Sequence, residues 1–163
     1  MVTTPDPDLT MVRDILRAVP FFRELTQPEL DLLVALGRVV AYPKNMVVFK
    51  EGDKGEALYV VIEGAVRIVK HAPEAWDGTM AFIESGGCFG EMALVDDFPR
   101  SATAITQEDC TVLFLGREAV LDLFREEPVI GRKILSAFCR SLSLRLRQAS
   151  DRIVALSSLQ RGA

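Results

Sequence analysis

The apolar positions of this chain change period twice. Between residues 9 and 19, Val12, Ile15, Leu16 and Val19 recur at three- and four-residue steps, the spacing of one helical face. Pro20 then closes the segment. Thr26-Gln-Pro-Glu29 has the form of a capping box, with Leu25 and Leu30 flanking it as a hydrophobic staple. A second helix is therefore predicted to about Gly37. From Val39 the period shortens. Residues 46–50, 57–63, 65–70, 79–84, 101–106 and 110–115 are strand-length runs. They are punctuated by Glu51-Gly-Asp-Lys-Gly, Glu63-Gly64 and a longer loop at 71–78, which predicts an antiparallel sandwich or barrel. After Gly116 helical spacing returns in Val120, Leu121, Leu123 and Phe124, until Pro128 interrupts it. Beyond Pro128, Ile134, Leu135, Phe138, Leu142, Leu146, Ala149, Ile153 and Leu156 form one continuous face on a long helix. Such a face can close on the barrel as a lid or pair with a second copy as a dimer seam.

Composition sharpens this α+β reading. At 163 residues, 49% hydrophobic and 26% charged, the chain is expected to form a single domain over 1–163. Its expected parts are N-terminal helices at 9–37, a barrel at 39–116 and C-terminal helices at 117–156. No apolar run is long enough to span a membrane. Pro5, Asp6, Pro7 and Asp8 do not resemble a secretory leader, so a cytoplasmic address is expected. Nineteen basic against 23 acidic residues give a net charge of -4, which opposes general nucleic-acid affinity. Arg140, Arg145, Arg147 and Arg152 read as the solvated face of the long helix. Cys88, Cys110 and Cys139 lack a Cys-x-x-Cys pair and read as free thiols.

The chemistry concentrates between Gly86 and Ala104. Gly86, Gly87 and Gly90 allow positive φ or close backbone approach. Met92, Ala93 and Leu94 can form one helical turn, whose first N–H groups would face an anion. Ala93 is small enough not to block it. Arg100 follows Pro99 and can meet phosphate oxygens through paired hydrogen bonds. Ser101 adds a hydroxyl and an N–H. Glu91 beside an anion site is repulsive unless it accepts from another part of the ligand, for which a ribose hydroxyl is the usual donor. Sugar plus phosphate means a nucleotide, and one arginine with a few amides suits a singly charged phosphodiester. The glycines match neither the Walker string nor Gly-x-Gly-x-x-Gly. His71 is the only histidine and reads as a solvated loop residue, which leaves no metal cluster and no nucleophilic triad, so no enzyme is expected. Trp76 reads as a partner anchor or a residue packed on the barrel. Asp96 and Asp97 read as facing water, and Met46, Met80 and Met92 as packing residues.

Phe89-Gly-Glu-Met-Ala-Leu, followed by Pro99-Arg-Ser-Ala-Thr, resembles the phosphate-binding cassette of the cyclic-nucleotide-binding domain family. Glu51-Gly-Asp ahead of Leu58-Tyr-Val-Val-Ile-Glu-Gly-Ala-Val extends the likeness to roughly residues 20–140. The resemblance implies a double-stranded β-helix, or jelly roll, carrying a short cassette helix. It also implies cAMP, or alternatively cGMP, as ligand without a metal. The implied contact residues are Gly90, Glu91, Met92, Ala93, Leu94, Arg100, Ser101, Ala102 and Ser150. Signalling would pass through the long helix, either to a protein effector in trans or across a homodimer formed by 128–156, with neither nucleic acid nor membrane as partner. The chain departs from the pattern in two informative places. Ala149 and Ser150 stand where bacterial members carry a Thr-Ser pair reaching the base, which leaves base preference open. Only residues 157–163 follow Leu156, so output is expected from a partner or from dimer rearrangement, unless the chain is a fragment of something longer. A second reading is an interaction or scaffold module with a weak or unused pocket.

Overall fold

Residues Ala57–Glu63 form a strand with nearly every side chain buried, although a strand must point alternate residues in opposite directions. The computed structural model, which describes residues 2–3, 9–71 and 78–161, resolves this by giving the strand a core on each side. Ala57, Tyr59 and Val61 face one apolar cluster, while Leu58, Val60 and Ile62 face another. An all-apolar run is what two-sided burial requires.

In chain order the elements are β1 (Val2–Thr3), α1 (Leu9–Ala18), α2 (Gln27–Leu36), β2 (Arg38–Tyr42), β3 (Val47–Phe49), β4 (Ala57–Glu63), β5 (Ala65–Val69), β6 (Thr79–Glu84) and β7 (Cys88–Phe89). A 3-10 turn, Glu91–Leu94, follows, and then β8 (Thr103–Thr106), β9 (Cys110–Gly116), α3 (Arg117–Glu126) and α4 (Pro128–Arg161). One sheet has the order β1-β2-β9-β4-β7 and the other β3-β8-β5-β6, with all pairings antiparallel. Between them lies the cluster containing Val40, Tyr42, Tyr59, Val66, Ala104 and Val112. The helices cover the outer face of the first sheet, where Val12, Leu16, Phe22, Leu30 and Leu33 meet Leu113, Leu115, Ile130, Ile134 and Phe138.

Both predicted N-terminal helices are present. Leu25 and Leu30 are buried as the staple requires, and the Glu29 carboxylate accepts from the Thr26 N–H at 2.7 Å and its hydroxyl at 3.0 Å. The same carboxylate accepts from Lys133 Nζ at 2.7 Å, tying α2 to α4. Hydrogen bonding from Lys133 and Thr26 holds its pKa below the ordinary carboxylate value.

Several expectations are corrected. The strand predicted at 101–106 begins at Thr103, because Arg100 and Ser101 serve the turn beside it rather than the ladder. The strands at 2–3, 38–42 and 88–89 were not foreseen; two are only two residues long, and β2 follows α2 after a single residue. Met46, Met80 and Met92 are not packing residues: they are 36%, 58% and 41% exposed, Met80 on the outward face of edge strand β6. Lys44-Asn45 forms a turn in which Asn45 adopts φ 61°, a left-handed conformation that asparagine tolerates. The apolar face of α4 is continuous in sequence but not in use. Ile130, Ile134 and Phe138 are buried, whereas Leu142, Leu146 and Ile153 are exposed. Trp76 and the interior of its loop lie outside the described residues.

Phe22 is 1% exposed and packed among α1, α2 and α4, so Phe22→Ala should lower unfolding free energy by about 3–5 kcal/mol in urea titration.

Candidate functional site

The chain leaves β7 through Gly90, whose φ of 73° is left-handed. A side chain there would be strained, and its Cβ would lie 2.7 Å from Arg100 Nη1. Glycine is therefore required twice, by backbone conformation and by the arginine packed against it. The 3-10 turn Glu91–Leu94 follows at the predicted place. Ala93 is buried, and its Cβ would meet a Cβ on Gly55 at 2.9 Å, so the turn sits close against the 52–56 segment.

Arg100 returns to the same spot, as its position after Pro99 suggested. It is 8% exposed, with Nη1 donating to Gly90 O at 2.9 Å and Nη2 to Ala57 O at 2.7 Å. Its guanidinium carbon lies 4.1 Å from the Phe49 ring centroid and 5.9 Å from that of Tyr59. Burial pushes the guanidinium below its ordinary pKa, while Tyr59 and Glu91 oppose the shift. An arginine keeps its proton at neutral pH through such a shift. Its Nε is buried without a hydrogen-bond partner. A buried cation with one unmet donor, beside the first amides of a turn, is suited to an anion.

Glu91 is also 8% exposed. Its Oε1 accepts from Arg145 Nη1 on α4 at 2.7 Å. Arg145 and Arg140 remain more than half exposed, as a solvated face requires, yet Arg145 also reaches Glu91, and Arg140 pairs with Glu24 on the segment before α2. The physical reason is that α4 runs back across the cassette, where the Glu91 carboxylate would otherwise be buried unpaired.

Arg117, the first residue of α3, was not singled out from sequence. Its Nε donates to Ala93 O at 2.5 Å, and its Nη2 pairs with Asp97 at 2.7 Å. No motif marked it, since its partners are a backbone carbonyl and a carboxylate twenty residues away. Asp97 is 89% exposed, as expected, while Asp96 is half-buried and accepts from the Phe98 N–H at 3.1 Å.

The remaining predicted residues separate. Met92 is partly exposed, with its sulfur 3.9 Å from the exposed Ser101 hydroxyl, and Ala102 is buried. Leu94 lines an apolar crevice with Phe21, Phe22, Ile134 and Phe138, directly between the cassette and α4. Ser150 lies five residues beyond Arg145, its hydroxyl donating to Leu146 O at 2.9 Å within the helix. Among the described residues no group of three or more His, Cys, Asp or Glu could hold a metal. No helix of the described residues is long and apolar enough to cross a membrane. Cys88, Cys110 and Cys139 are free; burial raises the Cys88 thiol, with the Glu91 charge adding to the effect, and raises Cys110 to about 11.

Comparison with known proteins agrees with this geometry. The chain is 34% identical over 142 residues to the "Cyclic AMP receptor protein" of Thermus thermophilus, an alignment covering 87% of this chain and 64% of that protein. It is 32% identical over 123 residues to the "cAMP-dependent protein kinase regulatory subunit" of Pyricularia oryzae, covering 75% of this chain and 31% of the other. The crystal structure of the Thermus thermophilus catabolite activator protein superposes with a TM-score of 0.72 at 36% identity, over 85% of this chain and 63% of that one. The chain thus spans just under two thirds of the Thermus thermophilus protein and about a third of the kinase regulatory subunit. Residues 39–127, which hold the β-strands from 47 to 116, the glycine turn, Arg100 and α3, match the family model described as "Cyclic nucleotide-binding domain", and the chain belongs to that family.

Proposed function

We propose that this chain is a non-enzymatic receptor for a cyclic nucleoside monophosphate, cAMP ahead of cGMP. The observation that carries the reading is Arg100: a buried guanidinium with an unmet Nε–H, packed beside the Gly90–Ala93 turn. A cyclic phosphate placed there would receive that N–H, the turn amides and the Ser101 hydroxyl. The single negative charge matches the one committed cation. Gly90, Met92, Leu94 and Ala102 would contribute backbone and shape. Glu91, oriented by Arg145, retains lone pairs for a ribose hydroxyl. The names of the relatives favour cAMP.

Signal transfer follows from the same contacts. Glu91 is joined to α4 through Arg145, and Ala93 to α3 through Arg117. A nucleotide that favours one cassette position therefore favours one position of those helices. The recipient is a protein effector in trans or a second copy of the chain, with neither nucleic acid nor membrane as the partner of this segment. The two sheets are read as a jelly roll within one domain spanning 1–163, in a cytoplasmic setting consistent with three unpaired thiols.

A scaffold role is the second reading. The observations favouring it are Ala149 in place of a base-contacting hydroxyl, Ser150 engaged with its own helix and Glu91 already paired.

Thermal unfolding with cAMP, cGMP and 5′-AMP separates the two. Ligand at 100 times its dissociation constant adds about 2.7 kcal/mol, so the receptor reading expects a raised midpoint with cAMP and none with 5′-AMP. No shift with either cyclic nucleotide at millimolar concentration would favour the scaffold. In the receptor, Arg100→Ala should weaken affinity about 10- to 150-fold, as loss of a charge-assisted contact does. The exposed Leu142, Leu146 and Ile153 are spaced for a helix seam, and sedimentation equilibrium should give a dimer. A clean monomer at roughly tens of micromolar would remove the seam.

A further inference from the structure

The phosphate-side segment has a support that the cassette motif does not contain. In the second sheet β8 lies between β3 and β5. Glu51 follows the end of β3 and Lys70 the end of β5, so the two residues flank the chain as it enters β8. Their side chains meet across it: Lys70 Nζ lies 3.3 Å from Glu51 Oε1 and donates to Ser101 O at 2.8 Å. The other carboxylate oxygen, Oε2, accepts from the His71 N–H at 2.8 Å. Beneath this strap, the Glu51 N–H donates to Thr103 Oγ1 at 2.9 Å. The Arg100 backbone is held on both sides, its N–H donating to Asp53 O at 2.7 Å and its carbonyl accepting from Gly52 N at 2.9 Å.

The exposure of the pair indicates what the strap does. The side chains of Lys70 and Glu51 are 47% and 32% exposed, and ion pairs this wet contribute little to folding. Lys70 nevertheless divides its ammonium between a carboxylate and a backbone carbonyl one residue from Arg100. That geometry fixes the position of the Ser101 peptide, which carries the hydroxyl and amide next to the arginine. We infer that Glu51 and Lys70 are positioning residues for Arg100–Ala102, acting as a strap over the entry to β8 that holds Ser101 in place for a phosphate. The inference rests on the receptor reading for its ligand, but the strap is also measurable without one.

The sign of one substitution distinguishes a strap from a simple charge effect. If Lys70 served only as a nearby positive charge, Glu51→Gln would remove a repulsive carboxylate and strengthen binding of the cyclic phosphate. If the carboxylate aims the ammonium, the same change weakens it.

Calorimetric titration with cAMP should show Lys70→Met and Glu51→Gln each weakening affinity about three- to tenfold. The double variant should be no weaker than the poorer single one, as expected for residues acting as a unit. Lys70→Arg should return affinity to within about twofold of the unmodified chain, and thermal midpoints without ligand should hardly move. Hydrogen exchange on the ligand-free protein should show the peptide spanning 100–103 exchanging faster in both single variants. Unchanged exchange there, tighter binding by Glu51→Gln, or additive losses in the double variant would each overturn the strap. An unmodified chain that ignores both cAMP and cGMP but whose variants exchange faster at 100–103 would refute the receptor reading and leave the strap standing.

Discussion

A guanidinium removed from water must be surrounded by acceptors, and much of this site's local geometry can be traced to Arg100 meeting that demand. Burying a charge is costly unless carbonyls, rings or counter-charges replace the lost hydration. Gly90 O and Ala57 O receive the two ends of the fork, while Phe49 and Tyr59 present ring surface. Each of these needs something further. Gly90 must lack a side chain to let the fork approach, and Ala57 must open the strand buried on both faces. Tyr59 and Phe89, stacked 4.9 Å apart, stabilise the aromatic wall from behind.

The arrangement divides the molecule into a fixed part and a part tied to it by few contacts. β4 is anchored by two cores and paired with β9 along nearly its whole length, so Ala57 O is an immobile reference point. The 3-10 turn touches that reference through Arg100 but reaches the helices through two further arginines, Arg117 and Arg145. Between turn and helix lies the crevice of Leu94, Phe21, Ile134 and Phe138, where apolar surfaces can slide without breaking a directional bond.

Sequence made the parts governed by local rules legible. Period, caps and prolines placed all four long helices, and Gly-Gly-Cys-Phe-Gly-Glu followed by Pro-Arg-Ser marked the turn and the arginine, because those residues answer to backbone conformation and charge at short range. Pairings made across the fold were not legible. Arg145 finds Glu91 across 54 positions and Arg117 finds a carbonyl, neither leaving a mark in spacing. How burial divides along α4 was not legible either, because its apolar stripe runs past the end of the body it packs on; only its first turns meet the sheet. The three methionines failed as packing predictions because an unbranched apolar side chain is tolerated at an edge strand or turn as readily as in a core.

The length of α4 beyond Arg145 has a geometrical consequence. The helix contains 34 residues and extends from Arg145 to Arg161 after its contact with Glu91. At about 1.5 Å per residue that arm is roughly 24 Å long. A tilt of about 10° about Arg145 would carry its far end through roughly 4 Å by the same geometry, about three quarters of the helical pitch. The Glu91–Arg145 contact is in this sense a fulcrum, and a small rotation of α4 about it would be magnified along the arm.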